Sequence, residues 1–155
     1  MDAMNETIFS LSGALAMLGW LGLALLPRFD LVVKVIARLV IPALIAVVYV
    51  ALMLSNMDAA PEGGGFGSLA AVSALFTIDG LLLAGWVHYL AFDLFVGSWE
   101  VEDARARGVP HLLVLPCLFA TFMAGPAGLG LYLLVRGGTA LVRRGRPQTA
   151  EGTPS

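Results

Sequence analysis

The chain is poor in residues that hold metals or carry redox chemistry. One cysteine, Cys117, stands among 155 residues, which excludes an internal disulfide bond and any zinc site built from cysteines. The sequence has no dinucleotide or haem motif, and the three glycines at 63–65 lack the strand and the Lys-Ser/Thr pair of a phosphate loop. We therefore expect no cofactor and no bound metal.

Charge is also scarce. Charged residues make up 13% of the chain, the formal net charge is -2, and the 9 basic residues form no long tract. Nucleic-acid binding needs a basic patch or stripe, so we expect no nucleic-acid partner. The first seven residues contain no Lys or Arg, so they lack the positively charged flank of a cleaved signal peptide. The apolar run that follows is therefore predicted to be a retained span.

Apolar residues dominate what is present. They form 59% of the chain, more than a soluble domain of this size needs. The length fits one domain, and about four spans of some twenty residues nearly exhaust it. The sequence therefore predicts an all-α, polytopic membrane protein, a four-helix transmembrane bundle in the lipid bilayer. Residues 1–136 form the predicted four-span domain, and residues 137–155, rich in Gly, Pro, Thr and Arg, form a predicted disordered tail.

The lengths of the apolar runs set the predicted spans. These spans are Ile8–Leu26, Leu31–Leu54, Ser73–Trp99 and Leu112–Val135. Between the last two lies a charged hairpin ended by Gly108 and Pro110, and Pro42 is expected to kink the second span. With the N-terminus outside, five basic residues would lie inside and the four C-terminal arginines outside, so the charge distribution predicts no orientation.

The third span carries ionisable side chains where a membrane helix normally has none. On a helix of about 100° per residue, Asp79, Trp86, Asp93 and Glu100 form one stripe at a spacing of seven. A charge at bilayer depth is costly, and such residues usually face a bundle interior and mark a functional pathway. We therefore place the function on this stripe. In the alternative, Asp79 and Glu100 lie at the two membrane interfaces, where water makes them cheap.

His88 lies on the same helix about 180° from Asp79. We therefore expect Asp79, Trp86 and Asp93 to point into the bundle together and His88 to meet a different helix or lipid. Glu100, Asp103 and His111 could gather over the mouth of the bundle. A metal site of His88, Asp93, Glu100 and His111 would have suitable atoms, but the spacing matches no known ligand helix.

The fourth predicted span is interrupted by Pro116 and by the run from Gly125 to Gly130, so we expect it to be kinked or locally open. Its small and hydroxyl residues fall within about 80° of one another on the helical wheel. They are Cys117, Thr121, Gly125, Gly128 and Tyr132. A flat or elongated ligand could lie on this face. Alternatively, the glycines only allow another helix to approach closely.

Several short motifs occur together and in order in the second half of the chain. They are His88-Tyr89-x-x-Phe92-Asp93, Trp99-Glu100, Asp103, His111 and Gly125-Pro126. In these motifs the sequence resembles the abscisic acid-deficient four family, plant plastid membrane proteins needed for neoxanthin synthesis and their bacterial relatives. The resemblance covers roughly Asp79 to Arg136, whereas the first half matches only in having two apolar spans.

The resemblance implies a small multi-span membrane protein acting on a xanthophyll, with violaxanthin converted to neoxanthin by opening an epoxide and forming an allene. Such an isomerisation needs an acid at the epoxide oxygen and a base at a neighbouring C–H group, but no redox cofactor. The high Ala, Gly and Arg content is typical of a bacterial protein. We therefore expect the bacterial inner membrane as the location.

Three functions are compatible with these observations. The first is an intramembrane isomerase or lyase of a carotenoid-like hydrophobic small molecule. Its candidate catalytic residues are Asp93, His88, Asp79 and Glu100, and its candidate substrate-binding residues are Trp86, Tyr89, Trp99, Thr121, Gly125 and Tyr132. The second is a non-enzymatic carotenoid-binding, lipid-binding or assembly protein that presents a ligand to a partner membrane enzyme through its aromatic residues. The third is a proton or ion path along Asp79, Asp93 and Glu100.

Overall fold

The computed structural model describes residues 3–144, and this part of the chain contains helices and no strands. The helices are α1 (Ala3–Leu25), a π-helical segment (Leu31–Val40) that leads into α2 (Ile41–Asn56), a 3-10 turn (Met57–Ala59), α3 (Leu69–Leu75), α4 (Asp79–Arg107), α5 (His111–Ala124) and α6 (Pro126–Arg144). The prediction of an all-α fold is confirmed for these residues.

Three helices of the described part are long and apolar enough to cross a membrane. They are Ala3–Leu25, Leu31–Ala59 and Asp79–Arg107. They correspond to the first three predicted spans, but the third begins at Asp79 rather than Ser73 and continues through the charged segment predicted to be a hairpin. It ends at Gly108, whose φ of 65° is the left-handed conformation that commonly terminates a helix.

The prediction of four spans is wrong, because the fourth apolar run forms two helices. At Gly125 the backbone leaves the helical conformation, with φ 19° and ψ -86°. Pro126 has no N–H group with which to continue α5, and its fixed φ suits the first position of α6. Helix α5, with 14 residues, spans only about 21 Å, short of the roughly 30 Å of a bilayer core. The run is therefore a helical hairpin.

The two arms of this hairpin pack tightly on each other. Gly128 of α6 lies against the backbone nitrogen and the hydroxyl group of Thr121 on α5, leaving no room for a Cβ atom. Helix α6 then continues to Arg144, so the predicted domain boundary at residue 136 falls inside a helix. The remainder of the predicted disordered tail, 145–155, lies outside the described residues.

Helix α4 is the centre of the fold and packs against α1, α2, α5, α6 and the π-helical segment. Small residues permit this close packing. Gly97 of α4 contacts the indole ring of Trp20 on α1, and Gly19 of α1 contacts Leu94 of α4. A face of α4 toward each neighbour is therefore buried, as a central helix requires.

The predicted kink at Pro42 takes the form of a change in helix type. Over Leu31–Val40 the turns are wide, and the Ile41 N–H group donates to the Ile36 carbonyl, five residues back. Because Pro42 has no N–H group, it cannot supply the next bond of a regular ladder, a common cause of such irregularity. The segment carries Arg38 toward α4, where its guanidinium group donates to the Ser98 hydroxyl and carbonyl oxygens, each at 3.0 Å.

The hairpin brings all basic residues of the described part to one end of the molecule, the basic end. They are Arg28, Lys34, Arg38, Arg105, Arg107, Arg136, Arg143 and Arg144. Ion pairs join the elements there: Arg105 to Asp30 at 2.8 Å and Arg136 to Asp103 at 3.3 Å. Lys34 and Arg105 hold the pKa of the Asp30 carboxyl below its usual range. The expected split of five basic residues against four does not hold for Arg136, Arg143 and Arg144, because it assumes a fourth crossing, and Arg146 lies outside the described residues.

Candidate functional site

Asp93 lies on α4 against the tip of the α5–α6 hairpin. A Cβ atom at Gly125 would come within 2.5 Å of Asp93 Oδ1, so the glycine at the tip is what leaves room for the carboxyl group. The second carboxyl oxygen, Oδ2, is buried and has no hydrogen-bond partner within residues 3–144. Asp93 therefore has an unsatisfied acceptor that faces the protein interior.

Glu100 lies two turns further along α4 on the same face and is completely buried. Its Oε1 accepts a hydrogen bond of 2.8 Å from the Thr121 hydroxyl of α5, while its Oε2 has no partner in the described part of the chain. The two carboxyl groups interact electrostatically. Buried polar atoms are almost always paired in native proteins, so two unpaired carboxyl oxygens on one helix face point to a functional site.

Tyr89 connects this pair to a series of aromatic rings. Its hydroxyl group lies beside the Asp93 carboxyl and donates to the Phe122 carbonyl at 2.8 Å. Its ring is 5.5 Å from that of Trp86, which in turn stacks on Phe9 of α1 at 5.4 Å. We call Phe9, Trp86 and Tyr89 the aromatic row. The sequence analysis did not identify Phe9, because no pattern in α1 reveals which residue faces Trp86.

A cavity of about 190 Å³ lies at the outer end of the aromatic row. It is lined by Asn5, Glu6, Phe9, Asp79, Leu82, Leu83 and Trp86. Asp79, the first residue of α4, is exposed there, and the Trp86 side chain is 41% exposed. The prediction that both point into the bundle with Asp93 is therefore wrong. Asp79 fits the interfacial alternative, whereas Glu100, the other member of that pair, is deeply buried.

His88 faces α2, away from Asp93. Its imidazole ring stacks on Phe92 at 4.5 Å and lies 5.6 Å from the Tyr49 ring. The prediction that His88 meets a different helix from Asp93 is confirmed. The structure therefore does not bring these two candidate catalytic residues to one place.

Trp99 and Tyr132 lie together near the basic end. Their rings meet edge to face at 5.6 Å, and the buried Tyr132 hydroxyl donates to Asp103 Oδ2 at 2.6 Å. His111 instead contacts the Ala24 carbonyl of α1 at 3.0 Å. Glu100, Asp103 and His111 thus have different partners and do not gather over a common mouth. Trp99 and Tyr132 support the fold beside Glu100, whereas Thr121 and Gly125 contact the carboxyl pair directly.

Arg38 and Glu102 form a second, half-buried polar contact, which the sequence analysis did not identify. The Arg38 guanidinium pairs with Glu102 as well as with Ser98. Ser98 and Glu102 are four residues apart on α4, which places them on one face. This spacing is the sequence feature from which the contact could have been predicted. This network stabilises the basic end and is separate from the Asp93–Glu100 pair.

Metal binding receives no support from the described residues. Within residues 3–144, no three His, Cys, Asp or Glu side chains lie together as a metal site would need. Of the four ligands considered, His88 faces α2 and His111 contacts α1. The chemistry available at the site is therefore that of two carboxyl groups, a phenol and a threonine hydroxyl, all of which can exchange or orient protons.

Comparison of the chain with known proteins identifies its family. A family model described as ABA DEFICIENT 4-like matches residues 7–132. The resemblance drawn from the second half of the sequence is confirmed, and it extends over α1 and α2 as well. No curated protein and no solved structure matches the chain.

Proposed function

We propose that this chain, which belongs to the ABA DEFICIENT 4-like family, is an integral membrane protein that isomerises a carotenoid-like lipid at Asp93. The observation that carries the proposal is the pair of carboxyl groups, Asp93 and Glu100, each with one buried oxygen that has no partner in the described part. A purely structural contact would be expected to satisfy these oxygens. A reacting group must instead leave an oxygen available.

The membrane location is supported by three long apolar helices and by the many large apolar side chains on the outer surface. In this setting the α5–α6 hairpin enters the bilayer from the basic end and turns back at Gly125. Non-helical backbone at membrane depth is tolerated where it is buried in protein, and Gly125 is buried. The turn would therefore lie at the depth of Asp93, inside the membrane.

The substrate class follows from the family and the aromatic row. Phe9, Trp86 and Tyr89 offer a continuous apolar surface along which an extended polyene could lie, with its end group at Asp93. The reaction implied by the family is the opening of an epoxide with formation of an allene. Such a reaction moves one proton and changes no oxidation state overall, so product and substrate have the same mass.

Asp93 alone could carry both proton transfers. One oxygen of the protonated carboxyl gives its proton to the epoxide oxygen as a C–O bond breaks. The other oxygen takes a proton from the neighbouring C–H group, whose electron pair forms the new double bond. The proton count of Asp93 is then unchanged. This scheme removes the need for His88 as a partner base.

Glu100 would affect how protons are distributed between the two carboxyl groups of the site. Two carboxyl groups that interact in a dry interior share at least one proton, because two like charges there repel strongly. Thr121 fixes Glu100 by donating to Oε1. The acid step requires Asp93 to be protonated when it meets the substrate. Glu100 is then a positioning residue, since its burial keeps it from the substrate.

The test is to express the chain alone in a bacterium that makes carotenoid epoxides and to analyse the extracted pigments. We expect a new pigment of unchanged mass, and we expect Asp93→Asn to lower its yield by about a hundredfold or more while the protein stays in the membrane. His88→Gln is the matched control and should keep the activity. A product of changed mass would contradict the isomerase proposal.

The aromatic row also supports a second function, the binding of a carotenoid or lipid without chemistry. In that case pigment would co-purify with the protein unaltered, and Asp93→Asn would retain it. Trp86→Ala should then reduce the bound pigment, because it interrupts the row between Phe9 and Tyr89. Unaltered pigment in every extract would favour this function over the isomerase.

A further inference from the structure

A separate cavity lies at the basic end, between the last turn of α4 and the second half of α6. It has a volume of about 470 Å³ and is lined by Arg107, Arg136, Gly137, Thr139, Ala140 and Arg143. None of these residues contacts the Asp93–Glu100 pair. We call this cavity the arginine pocket.

The charges around the arginine pocket do not balance within residues 3–144. Arg107 and Arg136 both pair with Asp103, at 2.9 and 3.3 Å. Arg143 donates to the backbone carbonyls of Arg107 and Gly108, and no carboxylate of the described part pairs with it. Three guanidinium groups therefore face one carboxylate. The pocket carries an excess of positive charge.

The arginines are held in place by the fold. Asp103 is fixed by the hydroxyl group of the fully buried Tyr132, and it in turn orients Arg107 and Arg136. Arg143 is fixed because it caps the carboxyl end of α4. Planar guanidinium groups at fixed positions suit the oxygens of a phosphate group, to which they donate two bonds at a time.

Exposed apolar side chains next to Arg143 in the chain indicate the source of such a phosphate. Leu141 and Val142 of α6, the two residues that precede Arg143, are 70% and 66% exposed. A free phosphate ion needs no apolar surface, whereas a lipid places its acyl chains next to its headgroup. Basic pockets between membrane helices on the cytoplasmic side are typical sites for anionic lipids. We infer that the arginine pocket binds the phosphate group of an anionic membrane lipid.

The experiment is native mass spectrometry of the purified full chain in detergent, titrated with phosphatidylglycerol or with phosphatidylcholine. We expect tighter retention of phosphatidylglycerol. Each lost arginine charge near a membrane surface weakens such binding by about fivefold. Arg143→Gln should therefore bind about fivefold more weakly, and Arg136→Gln with Arg143→Gln about 25-fold. Arg143→Lys keeps the positive charge but loses the planar guanidinium group that donates two bonds at once. Its affinity for phosphatidylglycerol should lie between those of wild type and Arg143→Gln.

Arg28→Gln is the matched control, because it removes one arginine charge at the same end but outside the pocket. It should leave phosphatidylglycerol binding within about twofold of wild type, well under the effect of one pocket charge. An equal loss in Arg28→Gln, or equal retention of the two lipids, would overturn the proposal. Displacement of the lipid by millimolar inorganic phosphate would show a site for free phosphate and would also overturn it. Thermal unfolding of each variant verifies that it is folded, and Arg136→Gln alone replaces Arg143→Gln should the latter unfold.

Discussion

Gly125 lies directly against the carboxyl group of Asp93, with a Cβ position only 2.5 Å from Oδ1. The turn of the α5–α6 hairpin is therefore also one wall of the candidate site. Residues 32 positions apart meet because α5 turns back at this glycine instead of crossing the membrane. The backbone at the turn and the position of the Asp93 carboxyl group depend on each other.

This contact predicts the effect of Gly125→Ala. The added methyl group must displace the Asp93 carboxyl or the hairpin tip, and a displacement of about 1 Å at a catalytic group can cost about a hundredfold in rate. We expect the pigment yield to fall by at least about tenfold at equal protein level. Gly130→Ala, with no atom within 4 Å of its Cβ, should keep the activity. Equal yields from both variants would separate Gly125 from the reaction.

The sequence predicted one feature of the site that depends on a single rigid helix. The separation of Asp93 from His88 follows from the angle between them on α4, and in the structure His88 faces Tyr49 of α2 whereas Asp93 faces Gly125. The burial of Glu100 agrees with its place on the stripe predicted to face the bundle interior, and not with the interfacial alternative. Its partner could not be predicted, because Thr121 lies on another helix.

The hairpin itself was missed for a different reason. An uncharged run of 24 residues, Leu112–Val135, has the same composition whether it crosses once or turns back. The signal was Gly125 followed by Pro126, a helix end next to a helix start. The sequence analysis expects a kink or a local opening there, since a proline inside a membrane helix is often tolerated. The contact of Gly128 with Thr121 distinguishes a hairpin from a bent helix.

Gly128→Ala should destabilise the protein, because its Cβ atom would collide with the Thr121 backbone, which cannot move without unwinding α5. Overpacking of this kind costs about 1–3 kcal/mol. At Gly130, where an added Cβ atom meets no other group, the change to alanine should instead stabilise α6 by up to about 1 kcal/mol, because alanine has a higher helix propensity than glycine. Thermal unfolding in detergent measures both. A Gly128→Ala protein as stable as wild type would contradict the tight hairpin.

Arg38 and Lys34 should differ in their contribution to stability, although both pair with Glu102. Arg38 is more buried and also donates to Ser98, and hydrogen bonds of charged groups contribute about 1.5–3 kcal/mol. Lys34 is 44% exposed, and exposed ion pairs contribute at most about 1 kcal/mol. We therefore expect Arg38→Ala to lower the free energy of unfolding more than Lys34→Ala. Equal losses would show that the Ser98 bonds contribute little.

The last prediction concerns orientation. Basic residues accumulate on the cytoplasmic side of membrane proteins, and every Lys and Arg of residues 3–144 lies at the basic end. We expect this end, including the carboxyl end of α6, to be cytoplasmic.

Cysteine labelling tests this orientation. Cys117 is the only cysteine, so Cys117→Ala gives a background for single Gly67→Cys, Arg28→Cys and Val142→Cys substitutions. An impermeant thiol reagent should label Gly67→Cys in intact cells and the other two only after permeabilisation. A bundle of four complete spans would place residue 142 with residue 67 instead. Labelling of Val142→Cys in intact cells, with Arg28→Cys protected, would therefore show that α5 and α6 cross the membrane as one helix, and the hairpin would be wrong.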